Sequence, residues 1–260
     1  MAGKSFPPDR RRPIVFECHR HETTLSASPI AIHIRETHGL ARAAEAVRIG
    51  VPLPRGEVRD IGCLRATFGG QSLPLQAKAL ALWADCSIKW ALVDMLVPVA
   101  AESKVSVELE TAAGAAVPGV PSTGLQVTRF PGHVLVETGN ARFEIPREGP
   151  VLISTAEVGG RMVLRSPGVE ARLLGAQGEP LQAFSESLDI EESGPVRASL
   201  LLSGGIRNSG SSCAVRFSAR LIFTAGSAAV SIELKLWNPQ PALHPGGLWN
   251  LGDPGSWRFR

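Results

Sequence analysis

The chain has 260 residues, 44% hydrophobic and 20% charged, with a formal net charge of +3. That length buries the core of one large all-β domain or two small ones, and no apolar run approaches the roughly 18 residues of a membrane span. Tyrosine is absent, which excludes any mechanism using a tyrosine of this chain as acid or base.

In chain order, residues 1–26 read as a flexible, Arg-rich tail. Arg10-Arg11-Arg12 belongs to it, and Pro13-Ile-Val-Phe16 is too short for a secretory core, so a cytoplasmic location is expected. His19 and His21 flank Arg20 in the same polar leader and read as solvated side chains. Cys18, Cys63, Cys86 and Cys213 are scattered, with no C-x-x-C pair and no histidine spaced to complete a zinc site. Reduced structural cysteines, no metal and no cofactor are the expectation. The basic residues comprise 22 Arg and 5 Lys. That mild basic balance favours an anionic partner, a uronate polymer or nucleic acid. The chain lacks the aromatic-interleaved basic motifs of RNA binding, so no nucleic-acid partner is expected.

The spacing predicts strands over residues 29–35, 104–110, 124–130 and 229–236, each alternating apolar and polar side chains. Residues 40–47 have helical composition but no clear cap, and residues 77–84 read as strand or loop. Gly50-Val-Pro-Leu-Pro-Arg-Gly56 is a rigid turn, its prolines holding Val51 and Leu53 extended. Trp83-Ala-Asp-Cys-Ser turns into residues 88–97, apolar on both faces and so buried on both. Trp83 and Trp90 read as core aromatics or, alternatively, as a sugar platform. Lys89 snorkels or pairs with an acid such as Asp94. Residues 112–123, small and proline-punctuated, form a linker between a first β unit at 27–111 and a second at 124–260. In the second unit, Gly159-Gly160 and Gly204-Gly205 read as hairpin glycines, and the adjacent carboxylates Glu191 and Glu192 fall on opposite strand faces, unsuited to paired acid chemistry.

Taken in order, Gly50–Gly56, the glutamine of Leu73-Pro-Leu-Gln76, Trp83–Trp90 and the C-terminal stretch Trp237–Ser256 with its Gly252-Asp-Pro-Gly-Ser256 turn resemble the exo-rhamnogalacturonan lyase family, the PcRGLX/YetA-like proteins. The resemblance spans about residues 27 to 260. Cys86 stands where the family usually has glycine. The resemblance implies an all-β chain, an antiparallel RIFT-type barrel followed by a β-sandwich-like meander, with a helical toroid downstream. Helical material for the toroid is lacking, so truncation before it is expected. It also implies β-elimination on galacturonate, an acidic oligosaccharide or polysaccharide as partner, and no role at a membrane.

Catalytic residues are unknown at this level. The richest constellation is the late loop, with Asn238, His244, Trp249, Asp253, Trp257 and Arg258. One reading makes it a sugar-contacting surface, Trp stacking on the apolar sugar face while amide and acid take hydroxyls. The other has Asn238 and Asp253 capping turns, the tryptophans filling the core and His244 satisfied locally.

Overall fold

The protein is described by a computed structural model at residues 29–111, 123–174, 178–207 and 213–239. Apart from one 3-10 turn at Ile61–Cys63, the regular elements among the described residues are β-strands.

The first unit holds β1 (Ile30–Arg35), β2 (Arg42–Pro52), β3 (Leu64–Phe68), β4 (Gln71–Ser72), β5 (Leu75–Leu82), β6 (Ile88–Val99) and β7 (Lys104–Thr111). They form two antiparallel sheets, in the orders β1-β7-β3-β4 and β2-β6-β5. Alternation explains the packing: Ile32, Val107 and Leu109 point inward against Val93, Met95 and Val97, all buried in one core. The helix-like composition of residues 40–47 is overridden. Across its length β2 pairs with the buried strand β6, with one register shift near its start, and such pairing outweighs alanine's local preference.

The Glu36 carboxylate organises the end of β1, accepting hydrogen bonds from the backbone N–H groups of Glu102 (2.9 Å), His38 (2.8 Å), Gly39 (2.9 Å) and Leu40 (3.2 Å). These donors, Glu102 foremost, lower its pKa to about 2. The carboxylate thereby ties the β1–β2 connection to the β6–β7 turn.

The second unit holds β8 (Leu125–Arg129), β9 (His133–Thr138), β10 (Ala141–Pro146), β11 (Val151–Ile153), β12 (Thr155–Val158), β13 (Arg161–Leu164), β14 (Val169–Glu170), β15 (Arg172–Leu174), β16 (Pro180–Ser193), β17 (Arg197–Arg207), β18 (Cys213–Thr224) and β19 (Val230–Trp237). One sheet runs β13-β12-β10-β9-β8 and another β15-β16-β17-β18-β19, with β11-β14 as a small third. The two large sheets enclose a core in which Phe143 and Ile145 meet Leu200, Phe217 and Phe223. Phe143 and Phe223 pack tilted, centroids 5.3 Å apart. Each such side chain contributes about 1.5–3 kcal/mol of burial.

Gly204 and Gly205 are not hairpin glycines. They lie in mid-β17, opposite Ser185 and Phe184, where β16 carries an irregularity between Ser185 and Ser187. A Cβ on Gly204 would be driven into the Phe184 carbonyl oxygen and would meet the Phe217 ring at 2.9 Å. Gly159 and Gly160 do form the β12–β13 turn, both at positive φ.

Cys86 has φ 64, the conformation that glycine adopts without strain. It is disulfide-bonded, whereas Cys63 is a free thiol, so the expectation that the cysteines are reduced fails at Cys86. In reducing solution, Cys86→Gly should melt above Cys86→Ala by the equivalent of about 1 kcal/mol, the left-handed penalty on a Cβ. Equal melting temperatures would count against that cost.

Candidate functional site

Three places in the fold gather polar chemistry. The first joins the two motifs that dominate the N-terminal half. Asp85 Oδ1 accepts from the Ser87 backbone N–H (3.1 Å) and hydroxyl (2.6 Å), while the Ser87 hydroxyl oxygen accepts from Gly56 N–H (2.9 Å). The Trp83 indole N–H donates to Leu53 O (3.0 Å), and Arg59 donates to Asp85 O (2.6 Å). The Ser87 hydroxyl, joined by its backbone N–H and by Arg55 and Arg59, holds the Asp85 carboxyl below its usual range. These bonds are spent between the two motifs, so their residues are architectural. Trp83 is half-buried, with the Lys89 ammonium 4.6 Å above its ring. Lys89 does not pair with Asp94: they stand five positions apart along β6, an odd offset that puts their side chains on opposite faces. Trp90 is 41% exposed and is not a core residue.

The second place is the junction between the units. β6 presents Asp94 and Leu96 on the face away from its own core, and Leu96 packs with Val196 and Ala225 of the second unit. Arg48 Nε lies 3.5 Å from Asp94, and an Arg48 NH2 donates to Glu192 (2.9 Å). Arg197 Nε lies 3.4 Å from the same Glu192. Burial raises the Asp94 pKa, opposed by Arg48 and Arg197. Gln76 completes the junction: its side-chain oxygen accepts from the backbone N–H of Val196 (3.3 Å) and Arg197 (3.0 Å). The adjacent Glu191 faces elsewhere, gripped by two nitrogens of Arg220 at 2.6 and 2.8 Å.

The third place is the outer face of the β15–β19 sheet, where β19 ends. Phe184 stands opposite Gly205, Gly205 opposite Arg216, and Arg216 opposite Trp237. The four residues form one row across four strands, spanning roughly 14 Å at the usual strand separation. Phe184 is 43% and Trp237 46% exposed, and Gly205 places no side chain between Phe184 and Arg216. Glu186 bridges the neighbouring arginines, accepting from Arg207 (3.2 Å) and Arg216 (2.9 Å). The Arg207 guanidinium lies 5.7 Å from the Phe184 ring centroid. Two arginines thus share one carboxylate between exposed aromatics.

Asn238 is exposed and follows Trp237 directly, at the edge of this row. His244, Trp249, Asp253, Trp257 and Arg258 lie outside the described residues. Phe184, Glu186, Arg207, Arg216 and Trp237 were missed as site candidates. Their signal was present: Arg216, Ser218 and Arg220 alternate with Val215, Phe217 and Ala219, placing the arginines on a solvent face. The cross-strand register that aligns them with Phe184 and Trp237 is not a local property of sequence.

No curated protein matches the chain significantly. Two family models do: the PcRGLX-like N-terminal RIFT barrel domain over residues 32–110, and the PcRGLX-like protein central beta sandwich domain over residues 125–239. The two-sheet unit formed by β1–β7 and the sandwich formed by β8–β19 carry these matches in the same order, and the chain belongs to the PcRGLX-like family, contributing its RIFT barrel and central β-sandwich.

Proposed function

We propose that the chain is the all-β portion of a polysaccharide-lyase-like protein that acts on rhamnogalacturonan or a related acidic glycan. Its part is to bind the glycan and scaffold the cleft, while the elimination chemistry belongs to a helical domain not contained in this chain. The observation carrying this reading is the row Phe184–Gly205–Arg216–Trp237. Its aromatics suit the apolar faces of sugar rings. Its arginines suit a uronate carboxylate, which a guanidinium binds through two parallel hydrogen bonds. Asn238, at the end of the row, offers an amide to hydroxyls. A non-catalytic carbohydrate-binding module would use the same surface and differ only in having no elimination partner.

Calorimetry with rhamnogalacturonan oligosaccharides should show binding, weakened about tenfold by Arg216→Ala through loss of a charged hydrogen bond. A reduced neutral analogue of the oligosaccharide should bind poorly to the unsubstituted chain. Absorbance of the unsaturated product, recorded alongside, should stay flat for this chain alone. Equal affinity for charged and neutral glycans would overturn the carboxylate assignment, and product formation would overturn the placement of the chemistry elsewhere.

A further inference from the structure

The opposite sheet of the sandwich has its own polar row. Gln126 stands opposite Glu137, Glu137 opposite Arg142, and Arg142 opposite Glu157, across β8, β9, β10 and β12. Their neighbours Val136, Ala141, Phe143 and Ala156 point into the core, so the row faces outward. The Thr138–Asn140 and Gly159–Gly160 turns border it, joined by a Gly159 N–H bond to Asn140 O of 3.1 Å. Together they shape an open polar groove of about 470 Å³.

One wall of the groove is bare backbone by necessity. A Cβ on Gly124 would meet Gly139 Cα at 2.9 Å, and a Cβ on Gly139 would meet Thr123 O at 2.9 Å. Glu137 and Glu157 are half-buried, yet no side-chain hydrogen bond or ion pair among the described residues engages their carboxylates or the Arg142 guanidinium. The carboxylate oxygens face the open groove and are left to water, whose place a ligand that supplies donors can take.

We infer that this groove is a second sugar-binding site, for a neutral sugar residue, separate from the arginine row on the other sheet. The order acceptor, donor, acceptor along Glu137, Arg142 and Glu157 selects the ligand class. An anion meets two carboxylates for one guanidinium, and a simple cation meets the guanidinium between them. A hydroxyl group donates and accepts at once, so a polyhydroxylated ring satisfies all three side chains and leaves the amides of Gln126 and Asn140 for further hydroxyls. The described lining of the groove holds no aromatic platform, so binding there depends on hydrogen bonds and is weak.

The test is a titration of the isotope-labelled chain with methyl galactoside, followed by backbone amide and arginine side-chain resonances. Gly139, Gly159, Gly160 and Arg142 should shift, while the Trp237 indole stays put. Arg142→Ala, an exposed substitution, should weaken binding about tenfold. Glu137→Gln, which keeps the shape, should weaken it too, and Trp237→Ala should leave it unchanged. Shifts confined to Trp237 and its neighbours, no shift at all, or saturation by spermine in place of the sugar would each overturn the inference. None of these outcomes bears on uronate binding at Arg216, which is read separately.

Discussion

Gly204→Ala should cost the second unit about 4 kcal/mol or more and lower its melting temperature by roughly 15 °C. The cause is steric. The new methyl group would be forced against the Phe184 carbonyl oxygen of the neighbouring strand and the Phe217 ring beneath, and neither can retreat. Phe217 is fully buried, and the carbonyl belongs to the longest strand of the sheet. Close-packed interiors pass such a displacement on instead of absorbing it. Gly132→Ala is the matched control, because a Cβ there meets nothing within 4 Å and the change should stay within about 0.5 kcal/mol. Thermal denaturation of the two variants should separate them clearly. Similar melting temperatures would mean that the β16–β17 register shifts to accommodate a side chain at 204.

Gln76→Ala should weaken the junction between the units by about 2 kcal/mol, since two backbone N–H groups lose their acceptor. Val196 ends the β16–β17 turn and Arg197 opens β17, where this hairpin meets the barrel, so calorimetry should show one transition broadening or dividing into two. A cycle with Gly194 isolates the contact. A Cβ on Gly194 would run into the Gln76 carboxamide, so Gly194→Ala should be costly in the parent chain and nearly neutral beside Gln76→Ala. Such non-additivity is the signature of two residues competing for one space. Additive effects would show that Gln76 and Gly194 act on the fold independently.

Much of the fold was legible because alternation survives wherever one sheet face is wet. Lys104–Thr111 and Leu125–Arg129 follow the period-two pattern, and both are strands at those positions. Residues 88–97 showed apolar character on both faces, and the structure gives the reason: Val93, Met95 and Val97 fill the barrel while Leu96 meets the second unit. Gly204-Gly205 was misread because a glycine pair in a turn and a glycine pair under a crowded neighbouring strand look alike until the partner strand is known. Gln76 was visible as part of a family motif, but its role depends on residues 120 positions away. The arginine row escaped for the same reason: each member is an ordinary outward residue of its own strand, and only the register of four strands makes them neighbours. Asn238 alone connects the site expected from sequence with the surface found in the structure.

The pairing of β1 with β7 bears on how the protein is made. Strand β1 sits at the edge of its sheet, and its hydrogen-bonded neighbour is the last strand of the unit, with Ile30 against Leu109 and Arg35 against Lys104. A growing chain cannot complete this ladder until Thr111 has left the ribosome. Until then Ile30, Ile32 and Ile34 have neither their strand partner nor a finished core. Closing so long a loop raises the contact order and slows folding, so the barrel's first strand is among its last to be secured, and the nascent chain is most open to misassociation just before β7 arrives.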